Sequence, residues 1–510
     1  MWTLRRAAAC GAAVVACRLA ISGQALDVVA VATTLLLVGA LVAVPFALAL
    51  VDPGAMRGRW WLARLGWWPA AGCLVTSCSF APGAAAAWLA IPWLLFTLLI
   101  ALLGVLHAAE RGGGPAAELA IDAGLVFLAV GGAWTFASRA GLSPLGFVEP
   151  WPLLTAAHFH FAGLVLPVVA GRASRLATGP LGTLACAGVV AGVPAVAVGI
   201  TAGARGLASI EWLAALLLVL AALAIAAQLA WLAARCERLL PSALLALASL
   251  ALCGGMALVA VYATTTWLGT KHLSLLEMAQ THAPLQVFGF ALPALWALHL
   301  LPRPEPIAQM QIVLPWLGDR PAPQAFADRP FGPEVTPGAR GVATDRHECE
   351  LPPEPPGPPL PEGPFRRAAA AARSYRSFPA QMITGLRTAD PVVASETVVA
   401  RYRMLPGLHL VFAARVVEVF DGAIDGTHRA GFVYRTLAGH PECGVETFAV
   451  EKDLATGRVR AVVSAHSRCG TWLSRRLRPL ARRLQLAAGR AAVANLRAIA
   501  TGADGSARQA

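Results

Sequence analysis

Two histidines lie in an apolar run that is long enough to cross a lipid bilayer. They are His158 and His160, in the first half of residues 151–171. A later apolar run carries His282 and Gln286 in its first turns. Ionisable side chains inside a membrane segment are costly and usually face a protein interior or a water-filled cavity. These four side chains therefore form a candidate intramembrane polar site.

The spacing of His158 and His160 restricts what they can do together. On a regular α-helix, positions i and i+2 point to nearly opposite faces, so the two imidazoles cannot bind the same ion. His282 is the expected distant partner of one of them. Three interpretations stay open: a metal or haem site, a proton-linked polar cavity, and hydrogen bonding between packed helices.

A second polar group surrounds a loop predicted over residues 437–445. Gly439 and Gly444 permit positive φ angles there, and Pro441 stiffens the bend between two predicted strands. Five side chains are expected to converge near this loop: Tyr434, His440, Glu442, Glu446 and Ser467. No nucleophile stands beside a base, so no catalytic residue is predicted. The alternative is a structural turn in which His440 is the hydrogen-bonding anchor.

The composition predicts an integral membrane protein. The chain has 510 residues, of which 57% are hydrophobic, and its mean hydropathy is +0.63, which exceeds the usual range of soluble domains. The net charge of +13 suits a cytoplasmic membrane face. No base-reading motif accompanies this charge, so no nucleic-acid partner is predicted. The ten cysteines show no paired spacing, and neither a disulfide framework, a zinc site nor a cofactor is identified.

About ten membrane spans are predicted within residues 1–302, because one span needs about twenty mainly apolar residues. They begin near Ala7, Val28, Leu62, Ala84, Ala117, Trp151, Pro180, Ile210, Pro241 and Thr281. Arginines concentrate in alternate loops, which predicts a multi-pass inner-membrane protein with both termini in the cytoplasm.

The remainder of the chain is predicted to form a linker, a domain and a tail. Residues 303–363 are rich in proline and are expected to be an extended spacer. Residues 364–502 combine a helix, an antiparallel run of strands and a long C-terminal helix. This pattern indicates a cytoplasmic α+β domain after the helical membrane bundle, followed by a disordered tail at residues 503–510.

Several stretches together resemble the YndJ-like membrane protein family. They are TAAHFHFAGLVLPVVAG, MAQTHAPLQVFGF and GFVYRTLAGHPECGVETFAV, in a chain with many spans. In that family the second stretch usually has a His-Gly pair followed by an Asn, whereas Ala283 follows His282 here. The shorter stretch AHFHF also resembles a haem-binding stretch of the haem-copper oxidase large subunit, but the further membrane histidines of that family's copper site are missing.

Residues 431–448 resemble the signature GFxYGTLxGHPExGEExF of a domain family that also occurs fused to YndJ-like membrane parts. Arg435 and Val445 depart from this signature. That family resembles the START-like, helix-grip folds, whose members often hold a hydrophobic ligand between the sheet and a long helix. The resemblance implies a cavity, and it makes ligand-binding candidates of Tyr434, His440, Glu442, Glu446 and Ser467.

The leading interpretation is non-enzymatic. The protein is expected to bind or handle a lipid or other hydrophobic small molecule through its cytoplasmic domain, with membrane lipids as partners. An alternative is a small-solute or proton-coupled transporter that works through His158, His160 and His282. A third is a metal- or haem-binding redox protein. The sequence does not determine the oligomeric state.

Overall fold

The computed structural model describes residues 2–22, 27–51, 59–270, 272–302, 309–317 and 319–502. The chain divides into two compact units. The first comprises Met1–Gly54, Trp60–Ala108 and Gly114–Pro306, and the second comprises Ala55–Arg59, Ala109–Gly113 and Ile307–Ala510. The first unit is helical and the second is built on a sheet. The predicted tail at residues 503–510 lies outside the described residues.

Long helices dominate the N-terminal part, because an apolar segment in lipid must satisfy its backbone hydrogen bonds internally. The helices are α1 (Trp2–Ser22), α2 (Val28–Val38), α3 (Val44–Leu48), α4 (Trp60–Ser77), α5 (Ala84–Arg111), α6 (Ala116–Arg139), α7 (Trp151–His158), α8 (Leu166–Leu176), α9 (Pro180–Gly203), α10 (Ala208–Arg235), α11 (Leu239–Trp267), α12 (Leu275–Gln280), α13 (His282–Pro284) and α14 (Leu292–Leu300).

Eight helices within the described residues are long and apolar enough to cross a membrane. They are Val28–Leu48, Ala84–Arg111, Ala116–Arg139, Trp151–Leu176, Pro180–Gly203, Ala208–Arg235, Leu239–Trp267 and Leu275–Leu300. The other two predicted spans correspond to α1 and α4, which are helical but do not reach this level of hydropathy. The total of ten spans therefore stays a prediction.

Three of these spans contain a π-helical segment. The segments are π1 (Gly39–Ala43), π2 (Phe159–Val165) and π3 (Leu285–Ala291). A proline follows each segment at the same distance: Pro45, Pro167 and Pro293. Proline lacks the N–H of a helical hydrogen bond and its ring clashes with the preceding turn, and in these three spans the helix widens just before it. The assumption of a regular helix at His158 and His160 was therefore wrong.

An antiparallel half-barrel sheet forms the centre of the second unit, with strand order β2-β8-β7-β6-β5-β4-β3. The strands are β1 (Gln311–Val313), β2 (Ala343–Leu351), β3 (Ile383–Arg387), β4 (Thr397–Leu405), β5 (Leu408–Ile424), β6 (Thr427–Thr436), β7 (Glu442–Asp453) and β8 (Val459–Cys469). Strand β1 pairs with residues 409–411 of β5, beyond the stretch that pairs with β6.

Helices cover one face of this sheet. They are α15 (Pro364–Arg373), α16 (Trp472–Arg476) and α17 (Arg478–Ala500). The buried side chains Phe432, Phe448 and Val493 belong to the core between the sheet and α17. Gly489 of α17 lies against the ring of His347 on β2, where an added Cβ would approach a ring carbon at 2.2 Å. The missing side chain therefore lets the helix approach the edge strand closely.

The proline-rich segment is not a simple spacer. Strand β2 lies within residues 303–363 and pairs with β8 along its whole length. Glu354, also within that segment, forms a buried ion pair with Lys452 at 2.9 Å. The stretch 343–351 contains no proline and alternates polar and less polar residues, which is what an edge strand requires. The overall proline content hid this local pattern.

Two other boundaries differ from the sequence prediction. The loop before β7 covers residues 437–441 rather than 437–445, because pairing with β8 begins at Glu442. The predicted C-terminal helix is divided at Leu477 into α16 and α17. The antiparallel run of strands predicted within residues 364–502 is present as β3 to β8.

Candidate functional site

A cavity of about 310 Å³ lies in the second unit, between the sheet and helix α17. Most of its wall is apolar. The apolar part of the lining includes Met310, Ile312, Phe378, Ile383, Met404, Leu408, Leu410, Phe412, Leu477, Leu480, Leu484 and Ala488. The polar part includes Tyr375, Tyr402, Tyr434, Thr436, His440, Glu442, Glu446, Ser467, Thr471, Ser474 and Gln485. All five candidates near the predicted loop thus line one cavity.

Strand register explains why these side chains meet. Glu442 and Glu446 are four residues apart on β7, so they point to the same face of the sheet. Tyr434 on β6 and Ala465 on β8 are the direct neighbours of Glu446. The face they share is the one that α17 covers. The sequence predicted the strands, but the cross-strand neighbours followed only from the register.

Tyr434 and Glu446 form a hydrogen-bonded polar pair in the cavity. The Tyr434 hydroxyl donates a hydrogen bond to Oε2 of Glu446. Burial raises the pKa of Glu446 to about 7, against the hydrogen bond from Tyr434, which lowers it. Burial and the nearby Glu446 raise the pKa of Tyr375, which also interacts with Tyr434. Near neutral pH, Glu446 therefore exists in both protonation states.

Glu442 is held by a chain of hydrogen bonds from β8 and α17. The Ser467 hydroxyl donates to Oε2 of Glu442 at 3.0 Å, and Nε2 of Gln485 donates to that hydroxyl at 2.8 Å. Arg482 donates to Oε1 of Gln485 at 2.9 Å and forms an ion pair with Asp345. Burial raises the pKa of Glu442 to about 7, although Ser467 and Arg482 act against this shift.

His440 anchors the turn before β7. Its Nδ1 accepts a hydrogen bond from the backbone N–H of Glu442 at 3.0 Å, and its ring packs edge-on against Phe412. Burial lowers the pKa of His440 to about 4, so the imidazole is neutral at physiological pH. The accepting Nδ1 leaves the proton on Nε2. The hydrogen bond from the Glu442 N–H is what a structural role of His440 in this turn requires.

The two glycines near the turn have different functions. Gly439 has a φ of 86°, as the turn requires. Gly444 lies within β7, and an added Cβ would approach the backbone oxygen of His466 at 2.1 Å. This position requires glycine because there is no space for a side chain, and not because of a positive φ. The prediction of a positive φ at Gly444 was wrong, because the strand begins earlier than expected.

The cavity brings several hydrogen-bonding groups together. Its carboxyl groups accept hydrogen bonds from hydroxyl groups, and one of these contacts joins the Ser467 hydroxyl to the Glu442 carboxyl group. Among the residues that the structure describes, no group of three or more His, Cys, Asp or Glu side chains is arranged to hold a metal ion.

In the first unit, His160 is fully hydrogen-bonded. Trp93 donates to Nε2 of His160 at 3.2 Å, and Nδ1 lies 2.7 Å from the backbone oxygen of Ala156. Gly131 makes room for the ring, since an added Cβ would approach Nδ1 of His160 at 3.0 Å, and a Cβ at Gly39 would approach the Cβ atom of His160 at 2.9 Å. Neither ring nitrogen has a free lone pair for a metal. Hydrogen bonding within a packed helical bundle therefore accounts for this histidine.

His282 and Gln286 bind the backbone of one neighbouring helix. Nδ1 of His282 lies 3.1 Å from the oxygen of Gly255, and Nε2 of Gln286 donates to the oxygen of Ala251 at 3.2 Å. Gly255 lies on α11, and its missing side chain leaves room for the Gln286 amide. His158 interacts electrostatically with His282. The structure thus brings His158 and His282 together, and it places His282 and Gln286 on the backbone of α11.

Two sequence families match this chain. The YndJ-like protein family matches residues 34–290, which is half of the chain. The chain belongs to the YndJ-like protein family. A domain of unknown function, DUF1990, matches residues 332–495 and thus begins within the predicted linker.

One curated YndJ-like relative matches a shorter stretch. It is the protein of Bacillus subtilis (strain 168) named uncharacterized membrane protein YndJ, which is 35% identical over 86 residues. These residues are 17% of this chain and 16% of that protein, so the match spans about a sixth of the relative. No solved structure matches the chain.

The part that matches the YndJ-like family also contains buried polar pairs that sequence reasoning missed. His107 lies 2.8 Å from Asp122, and Arg175 forms an ion pair with Glu118 at 3.0 Å. Arg175 lies in the last turn of α8. The spacing of Glu118 and Asp122 could have indicated these contacts, because two acidic residues lie one helical turn apart in an otherwise apolar segment.

Proposed function

We propose that the C-terminal domain is a receptor for a lipid or other hydrophobic small molecule, which it holds between the half-barrel and α17. The observation that supports this most is the cavity of about 310 Å³ with a mainly apolar wall. Ligand sites are typically concave and apolar, with a few converging polar groups. The sequence resemblance to START-like, helix-grip folds, whose members often hold a hydrophobic ligand between the sheet and a long helix, also supports the proposal.

The membrane part would hold this receptor close to the bilayer, which would be the source of its hydrophobic ligand. Eight helices suited to membrane crossing precede the domain in the chain. The arginine distribution supports a multi-pass inner-membrane location with both termini in the cytoplasm. In this proposal the protein collects or presents a hydrophobic molecule at the cytoplasmic face.

A cavity-filling substitution tests the proposal. Full-length protein would be purified in mild detergent and its bound molecules identified by native mass spectrometry and lipid extraction. Ala488→Trp fills the cavity from α17, whereas Ala494→Trp adds the same ring to the exposed side of the same helix. We expect a co-purifying hydrophobic molecule in the wild type and in Ala494→Trp, and its loss in Ala488→Trp. Equal occupancy in all three proteins would contradict the proposal.

A further inference from the structure

The two carboxyl groups of the cavity have no cationic partner on its wall. Glu442 and Glu446 point to the same side of β7, and the described residues that line the cavity include neither lysine nor arginine. This is unusual in a chain whose net charge is +13. Buried carboxylates are costly unless a cation or several hydrogen bonds compensate them. The cavity is therefore electrostatically complementary to a positively charged group.

Each of these carboxyl groups has an oxygen available for a ligand. Oε2 of Glu446 accepts from Tyr434, and Oε2 of Glu442 accepts from Ser467. Within the described part of the chain, the other oxygen of each carboxyl group accepts no hydrogen bond. An ammonium group offers three donors and no acceptor. It can donate to the free oxygen of either carboxyl group.

The apolar wall extends away from the Tyr434–Glu446 pair. Val416 on β5 is the neighbour of Tyr434, and Leu410 lies six residues before it on the same strand. At about 3.3 Å per residue, this separates Leu410 from the polar pair by about 20 Å. Leu477 and Leu480 also line the cavity and are about half exposed. The cavity thus has a polar end and an apolar rim, as an amphipathic ligand requires.

We propose that the cavity binds an amphipathic amine, with its nitrogen at Glu446 and its apolar body along Phe412, Leu410 and Leu484. This inference rests on the proposed function and specifies its ligand class. A charge-assisted hydrogen bond to the Glu446 carboxyl group holds the head group, and the charge of Glu442 in the same cavity adds to the attraction. Burial raises the pKa of both carboxyl groups, and at Glu442 the nearby Arg482 acts against this shift.

The competing ligand chemistry is an anionic head group. A smaller pocket of about 100 Å³ shares Glu442 and Ser467 with the cavity and carries Arg468, Arg478 and Arg482. The described residues that line the apolar cavity include the Glu442 and Glu446 carboxyl groups and no arginine, so an anionic head group in that cavity would lie beside like charges. The geometry therefore favours the amine, and the anion is the outcome against which it is tested.

Three probes with the same apolar chain separate these chemistries: dodecylamine, dodecanol and dodecanoic acid. Their binding to the full-length protein in nanodiscs would be measured at about pH 8, where both carboxyl groups are mainly ionised. Protein-specific binding is the part that Ala488→Trp abolishes. We expect the amine to bind at least about tenfold more tightly than the acid.

Substitutions of the carboxyl groups locate the interaction. Glu446→Gln and Glu442→Gln should each weaken dodecylamine binding about 10- to 100-fold and leave dodecanol within about twofold. Glu418→Gln makes the same charge change at an exposed position of β5 and should change neither. Two variants are used so that a folding defect in one, detected by hydrogen exchange, leaves the other informative.

The outcomes distinguish the two proposals. If the acid binds as tightly as the amine, or if both glutamine variants keep full amine affinity, the amine inference is wrong while the hydrophobic receptor stands. If none of the three probes shows binding that Ala488→Trp abolishes, both proposals fail.

Discussion

At the scale of single residues, burial decides the behaviour of the carboxyl groups on β7. The Glu446 side chain is directed into the protein beside Tyr434, and desolvation raises its pKa from 4.5 to about 7. The folded state therefore binds more protons than the unfolded state between these two values. By linkage, this group lowers the stability of the fold as the pH rises through that window.

Glu446→Gln should remove this pH dependence. At about pH 8 we expect the variant to be more stable than the wild type by about 1–3 kcal/mol, because it buries no charge. At about pH 5 the difference should vanish or reverse, since the wild-type carboxyl group is then protonated. Hydrogen-exchange protection factors of β6 and β7 in the full-length protein measure the effect. A parallel pH dependence in the two proteins would contradict the assignment, and Glu418→Gln serves as the exposed control.

The hydrogen bonding of the histidines also depends on the residues that pack around them. Sequence reasoning treated His158 and His160 as equivalent, but the structure satisfies both nitrogens of His160 with Trp93 and the Ala156 backbone. Trp93 is 67 residues away in the chain, so no local pattern indicated this partner. A histidine in a membrane segment is a reliable sign of a polar contact, but the contact itself is set by packing.

At the scale of elements, one buried ion pair holds part of the proline-rich segment against the sheet. Glu354 accepts hydrogen bonds from Lys452 and from the backbone N–H groups of Leu360 and Phe365. Burial acts to raise the pKa of Glu354, but these hydrogen bonds outweigh it and hold the pKa below its ordinary value. The pair thus joins the segment after β2 to strand β7.

Removing one member of this pair should be costly. We expect Lys452→Met to destabilise the second unit by about 3–5 kcal/mol, because it leaves the Glu354 carboxylate buried without its cation. The double variant Glu354→Gln with Lys452→Met should lose less than the sum of the single variants. Urea titration monitored by hydrogen exchange in β7 of the full-length protein measures these differences.

A surface ion pair is the matched control for this experiment. Arg460 pairs with Glu451 at 2.9 Å and is about half exposed, so Arg460→Met should cost less than about 1 kcal/mol. Additive losses in the double variant, or equal losses from the surface and buried pairs, would show that the buried pair does not hold the segment.

At the scale of the whole molecule, the arginine distribution predicts the orientation of the chain. Alternate loops carry most of the positive charge, and positively charged loops remain on the cytoplasmic side. The receptor proposal depends on this orientation, because it assigns the cavity to the cytoplasmic face. The loops after α6, α9 and α11 are then expected to face the other side.

Reporter fusions measure this orientation directly. Alkaline phosphatase joined after Ala510 should be inactive, and a fluorescent protein at the same position should be bright. Alkaline phosphatase inserted in the loops after α9 or α11 should be active, which also controls for its expression. An active phosphatase at the C-terminus would overturn the predicted orientation and with it the cytoplasmic location of the cavity.

Much of the architecture could be predicted because its signals are local. A run of about twenty apolar residues must form a helix in lipid, and an alternating run must form a strand with one buried face. Strands β4 to β8 and helices α15 and α17 follow from such patterns. The π segments did not follow, because Pro69, Pro92 and Pro194 lie in helices that remain α-helical.

By itself, the sequence determined that this is a helical membrane protein with a C-terminal α+β domain, and it indicated the polar side chains near β6 and β7. Only the tertiary structure decided that β2 completes the sheet, that His160 is fully bonded and that Glu442 and Glu446 share one cavity without a cation. The physical reason is the range of the interactions. Periodicity and hydropathy act between neighbours in the chain, whereas strand pairing, desolvation and cavity shape depend on residues that only folding brings together.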